Sequence, residues 1–372
     1  FALAKRRVGN LLALAPAVLL LVYGSAWQHV VGPIGFTVLI SPAFGLAAFL
    51  ALERRDTRGD ILACAFVCLS VFSYTVGLGF LVGAAIYVLA DRDRLRRAYI
   101  FVTPLVGYAI WWLSVRDLGQ QDRTTLGNLD RVPDFVANAG ATVSGGLTGV
   151  SIPFSRFGSD KADLFTAPPG ALGWIAAVVL LGAVIWRIWR GDVPKSLWAS
   201  LGVLATYWLA ASLSDPLYLG EQYDAIRYIY PASIGVLLVV TDAFRGIRIP
   251  AAATYAVLAL MTFSIVMNTL FLRDGAAYLR AQYSPFKSEQ LAMLELANGY
   301  VPGAGATGGS GAPRAELADP IPFLGYGPGR DGYLAAVAKY GSPADDLGDI
   351  RAATPEVRAN ADQALIQAYA IA

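Results

Sequence analysis

The distribution of apolar residues constrains this chain more than anything else in it. Nine apolar runs, at about 10–27, 36–52, 61–73, 77–90, 98–114, 172–189, 196–213, 229–243 and 251–271, follow one another with polar connections between them. A helix rises 1.5 Å per residue, so about 20 apolar residues cross the hydrocarbon core of a bilayer, and most of these runs come close to that length. The chain is 56% hydrophobic and only 15% charged, with a mean hydropathy of +0.52. A soluble domain carries roughly 25% charged residues, so this apolar surface needs lipid around it. In lipid every backbone N–H and C=O must be satisfied within the segment, which selects helices. The fold class expected is an all-α, polytopic membrane helix bundle with a mostly helical extracytoplasmic C-terminal tail.

The stretch 61–90 is too long to be one span. As a single helix it would measure about 45 Å against a core of about 30 Å. Both of its flanks are basic: Arg54 and Arg55 on one side, Arg92, Arg94, Arg96 and Arg97 on the other. The segment Ser73-Tyr74-Thr75-Val76-Gly77-Leu78-Gly79 in the middle is poor in helix formers. A hairpin of two short helices, 61–73 and 77–90, is therefore predicted. Helices that short must be buried in the bundle or line a polar cavity.

Orientation follows from where lysine and arginine fall. The N-terminus and the connections 53–60, 91–97, 187–195 and 244–249 together hold 15 Lys+Arg against 6 Asp+Glu. The opposite set, 28–35, 74–76, 115–171, 214–228 and the tail from 272, holds 14 against 20 over far more residues. The first set is predicted to be cytoplasmic, with the N-terminus of this sequence inside and the C-terminus outside a bacterial inner (plasma) membrane. The basic clusters at 54–58 and 92–97 read as topology determinants, with binding of anionic lipid headgroups as a second role. The chain starts at Phe1 rather than methionine, and the expectation is a fragment lacking its true N-terminus.

Two regions are predicted: a transmembrane bundle over 1–271, including the extracytoplasmic loop 115–171, and an extracytoplasmic region over 272–372. Within the loop, the stretch from Asp134 to Leu147 reads as a weakly amphipathic interfacial helix. The tail is expected to begin with a helix from Ala276 to Asn298. It then passes through a flexible Gly/Ala/Ser/Pro linker at 302–313 and ends in a polar segment containing YLAAVAKY, from Tyr333 to Tyr340.

Motifs for catalysis are sparse. There is no phosphate-cradling glycine loop, no Cys/His metal cluster and no serine-elbow signature, and nothing points to nucleic acid as a partner. Cys64 and Cys68, four apart in one apolar run, read as small reduced side chains on one helix face. His29, the only histidine, lies just after Trp27 in a short outer loop and reads as an interfacial residue, with a role as lone general base left open.

The densest collection of polar groups on the outer side is SDPLYLGEQYDAIRYIY, over 214–230. It places Asp215, Glu221, Tyr223, Asp224, Arg227, Tyr228 and Tyr230 beside the start of a span, ahead of Pro231. The planar fork of an arginine suits a phosphate or pyrophosphate, and tyrosines stack on sugar faces. An interfacial tyrosine belt with an internal Arg–Asp pair accounts for the same residues equally well. Arg116 with Asp117, just beyond Trp111-Trp112, forms a second, weaker candidate.

Four features together resemble the GT-C class of membrane glycosyltransferases, particularly actinobacterial multi-span relatives. These are many short spans, the broken hairpin SYTVGLGFLVGAAIYVL, a long outer loop before the span at 172, and the outer RYIYP element from Arg227 to Pro231. The resemblance covers about 10–271, and the tail also looks similar. It implies a polyprenyl-phosphate-linked sugar as donor, an envelope glycan or glycoprotein as acceptor, and transfer at the outer face. It further implies that Arg227 contacts the donor phosphate with Tyr228 and Tyr230 nearby. The family's catalytic acid, which acts as general base or positions a divalent metal, belongs in the first outer loop. Residues 28–35 contain no carboxylate, so no catalytic residue is assigned.

Two other readings compete. A transporter or lipid flippase would use the 61–90 hairpin as a broken element near the midplane, although the near-absence of ionisable residues in the spans argues against moving charged solutes. A non-catalytic assembly protein would bind envelope partners through its tail.

Overall fold

A computed structural model describes residues 1–31, 35–115, 126–150, 170–213, 226–247 and 250–297, with the isolated positions 339 and 355; for 226–227 and 278–297 it describes the backbone only. The expected linker 302–313 and the YLAAVAKY segment lie outside the described residues. The chain divides into two units, Phe1–Ala276 and Ala277–Ala372. The side-chain contacts and sites described below lie in the first.

The described residues are helical, without a strand. In order they form α1 (Ala2–Val8), α2 (Asn10–Leu21), a 3-10 turn (Gly24–Ala26), α3 (Trp27–Val31), α4 (Gly35–Leu52), α5 (Thr57–Ser73), α6 (Gly77–Leu89) and α7 (Arg94–Arg97). After α8 (Tyr99–Val115) and a second 3-10 turn (Leu126–Arg131) come α9 (Val132–Thr148), α10 (Ala171–Trp189), α11 (Lys195–Leu213), α12 (Ile226–Ala243) and α13 (Ala251–Ala297). Among the described residues, six segments are long and apolar enough to cross a membrane: Asn10–Val31, Gly35–Leu52, Arg94–Val115, Ala171–Trp189, Lys195–Leu213 and Ala251–Ala277. The apolar helices Gly77–Leu89 and Tyr228–Ala243 are shorter. The last apolar run and the helix expected from Ala276 are one continuous element, since α13 runs unbroken for 47 residues.

The hairpin forms where the weak helix formers fall, with α5 ending at Ser73 and α6 starting at Gly77. Its two arms differ. Helix α6 is mostly buried, whereas α5 buries one side and exposes Ile61, Leu62, Leu69 and Phe72. A reciprocal serine pair ties α5 to α4 near the turn. Ser41 Oγ donates to the Ser70 carbonyl at 2.8 Å, Ser70 Oγ donates to the Ser41 carbonyl at 2.7 Å, and both residues are fully buried. In lipid such hydrogen bonds and close packing replace the hydrophobic drive that holds soluble helices together.

The core gathers Ala48, Phe49 and Leu52 of α4, Val67 and Val71 of α5, Phe80 and Ala84 of α6, Val203 of α11 and Ile234 of α12. Small residues allow the tightest approach. A Cβ on Gly83 would sit 2.6 Å from Val203 Cγ2 and 2.9 Å from the Ala199 carbonyl oxygen, so α6 and α11 are closer there than any larger residue permits. Helices α8 and α10 lie at the periphery. Their exposed Val102, Leu105, Val106, Val178, Val179 and Leu181 make up the apolar outer surface that lipid covers.

Helix α9 corrects one expectation. It covers the predicted stretch, but seven consecutive residues, Ala141 to Leu147, are buried on every side. A helix lying in the headgroup region would bury one face only. The sequence ATVSGGL is made of small residues, which admits neighbours all round. A Cβ on Gly173 of α10 would lie 2.9 Å from the Ala141 carbonyl oxygen.

The basic connections converge on one end of the bundle through side-chain contacts. Arg6 meets Glu53 at 3.0 Å, Arg7 meets Asp242 at 2.9 Å, and Arg97 pairs with both Asp60 and Asp91. Lys195 pairs with Asp91, and Arg245 donates to Ser196. Five connections distant in sequence therefore share one end, in agreement with the grouping drawn from their charge.

Candidate functional site

The opposite end carries the candidate site. It is built from the residues following α2, the first turns of α9 and α12, and the second half of α11. Helix α12 opens at Ile226, so the backbone of Arg227 lies in its first turn. The Arg227 side chain is outside the described residues, as are Arg116, Asp117, Asp215, Glu221, Tyr223 and Asp224 in full. Tyr228 and Tyr230 are described, and their partners define the site.

Tyr228 connects α12 to α9 and α11. Its ring packs edge-on against Phe135, centroids 6.1 Å apart, and its carbonyl accepts from the Tyr207 hydroxyl at 3.3 Å. Next in sequence to Phe135 and Tyr207, residues of α9 and α11 border an open apolar crevice of about 400 Å³. It is lined by Val132, Val136, Leu201, Leu204, Ala205, Trp208 and Leu209. The one polar atom buried there without a hydrogen-bond partner among the described residues is the Trp208 indole Nε1. Small-molecule pockets have this character, apolar walls with few placed donors, and a volume of this size lies within their usual range.

Tyr230 faces the other way, toward the segment after the first span. Its ring lies 6.3 Å from that of Tyr23 and 6.4 Å from that of His29, and its hydroxyl donates to the Leu20 carbonyl at 3.3 Å. His29 is buried in α3, not set out in a loop, and its imidazole forms part of this aromatic group. The Tyr23 hydroxyl is fully buried and has no hydrogen-bond partner among the described residues, as is also true of Thr142 Oγ1. Buried polar groups are normally paired, and unpaired ones occur at the basic end as well, at Arg7 Nε, Glu53 Oε1 and Arg187 Nε.

Asn268 of α13 braces the same region. It is fully buried, its Oδ1 accepts from the Ser25 N–H at 3.2 Å and the Ser25 hydroxyl at 3.3 Å, and its Nδ2 donates to the Gly146 carbonyl at 2.9 Å. Gly146 is required there, because a Cβ would fall 2.7 Å from the Tyr23 hydroxyl and 2.9 Å from Ser25 Oγ.

Tyr23, Trp208 and Asn268 did not stand out in the sequence. Asn268 carried a signal, as an amide inside an apolar run, and so did Asp242 near the end of another. Among the described residues, no three His, Cys, Asp or Glu side chains come together as ligands for a metal. Cys64 and Cys68 are unbridged.

Outside the spans, two charged groups titrate away from their ordinary values. Burial pulls the Arg7 guanidinium down, opposed by the Asp242 carboxylate. The Gly59 N–H, followed by Arg54, holds the Asp56 carboxyl below the usual carboxylate range.

In comparisons with known proteins, no family, no curated protein and no solved structure matches this chain.

Proposed function

We propose that this chain acts on a polyprenyl-phosphate-linked sugar at the end of the bundle where α12 begins, as donor in glycosyl transfer to an envelope acceptor on the extracytoplasmic face. One observation carries the reading: Phe135 of α9 and Tyr207 of α11, next in sequence to residues that line the crevice, contact Tyr228 in the first turn of α12, the turn that contains Arg227. An isoprenoid tail suits the apolar crevice. A phosphate suits an arginine fork beside the positive end of a helix. Tyr228 and Tyr230 flank that turn, and the aromatic group around His29 and Tyr23 offers faces on which a sugar can stack. The resemblance to GT-C glycosyltransferases supports the same chemistry, in which the phosphate departs as the acceptor hydroxyl attacks the sugar.

The test uses the full chain in proteoliposomes with a radiolabelled polyprenyl-phosphate sugar. Ala205→Phe fills the crevice and Arg227→Ala removes the phosphate partner. Each is expected to lower transfer at least tenfold while insertion and thermal stability hold. Transfer at the wild-type rate in both variants refutes the assignment, and solute or lipid uptake without transfer replaces it with the transporter reading.

A further inference from the structure

At the basic end, the turn before α5, the start of α5, the residues between α6 and α7, α7 and Tyr99 of α8 border an open polar cavity of about 750 Å³. Its acids are largely committed. Asp60 and Asp91 both pair with Arg97, Asp91 also receives Lys195, and Asp56 caps α5 through the Gly59 N–H and pairs with Arg54. Three lining guanidiniums, those of Arg55, Arg92 and Arg96, have no carboxylate partner among the described residues, against one uncommitted lining carboxylate, Asp93. The lining itself holds four arginines and four aspartates, and Arg54 and Lys195 from outside it offset two of the acids, so the balance around the site is positive; the volume is that of a ligand pocket.

Arg55 supplies an independent observation. It has φ 55°, the only positive φ at a non-glycine position among the described residues. It follows the end of α4, in the place where helices normally end on glycine because glycine enters the left-handed region without steric conflict. Here the position holds an arginine whose side chain lines the cavity. Strained backbone persisting where glycine would relieve it points to a use for the side chain.

The surroundings indicate the ligand. Leu95, between the arginines of α7, is 88% exposed. Beyond the cavity, α5 and α8 continue into the exposed apolar stripe of Ile61, Leu62, Val102 and Val106. A charged cavity that opens onto a lipid-facing apolar stripe matches a molecule with an anionic head and acyl chains. The geometry points to this cavity as a binding site for the phosphate headgroup of an anionic phospholipid, whose chains run along α5 and α8. This site is separate from the crevice at the opposite end and does not depend on the glycosyl-transfer reading.

The test is native mass spectrometry of the detergent-purified full chain, titrated with dioleoyl-phosphatidylglycerol, with dioleoyl-phosphatidylcholine and with inorganic phosphate. Phosphatidylglycerol should be retained in preference to phosphatidylcholine, whose choline cation the free guanidiniums repel. Each arginine near a membrane phosphate contributes about fivefold in affinity, so Arg92→Gln with Arg96→Gln should weaken retention roughly 25-fold. Arg55→Gly should weaken it about fivefold while leaving the thermal midpoint unchanged or higher without lipid. A merely structural role for Arg55 would not produce that split. Equal retention of the two lipids, or wild-type retention in the variants, overturns the proposal. So does competition by millimolar inorganic phosphate, which would assign the cavity to a free anion.

Discussion

Replacing Asp242 tests how α1 is held to the bundle. The carboxylate is fully buried and its partners surround it: Arg7 Nη1 at 2.9 Å, Ser196 Oγ at 2.6 Å and Ser200 Oγ at 2.6 Å. In Asp242→Ala the guanidinium of Arg7 stays buried with only Thr241 Oγ1 at 3.3 Å and the Leu238 carbonyl at 3.4 Å. Stranding a buried charge in this way costs about 3–5 kcal/mol. Arg7→Met should cost less, because the remaining carboxylate keeps two serine donors, each worth about 1.5–3 kcal/mol as hydrogen bonds to a charged acceptor. The double variant Arg7→Met/Asp242→Ala removes both charges and should recover most of the loss, since apolar replacements of buried pairs are often near neutral. Equilibrium unfolding in mixed detergent micelles of the four proteins gives the coupling directly. If the double variant is as unstable as the sum of the singles, the pair is not a coupled unit and the account of α1 is wrong.

Asn268→Leu strands the Ser25 N–H at about 1–3 kcal/mol and should loosen the segment after α2, while the Gly146 carbonyl keeps the Gly149 N–H at 3.1 Å; increased hydrogen exchange over 22–31 is the measurement. Gly83→Val forces a side chain against Val203 and the Ala199 carbonyl and should destabilise by about 1–3 kcal/mol or more in the same unfolding assay, although valine is the better helix former. Asp56, with a lowered native pKa, stabilises the start of α5 above its unfolded pKa of about 3.9, and that contribution is lost as the pH falls through the native value. Asp56→Asn keeps the cap without the titration, so exchange at the Gly59 amide, corrected for its intrinsic rate, should depend on acid in wild type and not in the variant.

Much of the fold was legible because lipid imposes a run length and helical hydrogen bonding on whatever crosses it. The break at 74–76 followed from weak helix formers between two basic flanks, and grouping the basic connections anticipated which ones meet at one end. Partner choice was another matter. Asn268 bonds Ser25, 243 residues away, and Gly146, 122 residues away, and no local pattern relates these three. Asp242 announced a need for a counter-charge but not which arginine would supply it. The burial of α9 was missed because small residues give little amphipathic signal, even though they are what allows helices to close around it. Of the predicted site residues, Tyr228 and Tyr230 proved to meet different neighbours, the first Phe135 of α9 and Tyr207 of α11 and the second the aromatic group of Tyr23 and His29. Alternation along a helix does not reveal which neighbour stands on each side.

The buried aspartates and arginines, namely Arg7, Asp60, Arg97, Arg187 and Asp242, all belong to the basic end, while the buried ties around Tyr23, Asn268 and Tyr230 join uncharged groups. The described part of the molecule is thus electrically lopsided. A membrane voltage does about 2.3 kcal/mol of work per charge per 100 mV, and only on charge that moves through the field. Rearrangements confined to Tyr23, Tyr230 and Asn268 move no charged side chain, so voltage has little hold on them. An ionised phosphate arriving there in the course of binding would carry charge into that interior, and the step that moves it would be exposed to the energised state of the membrane.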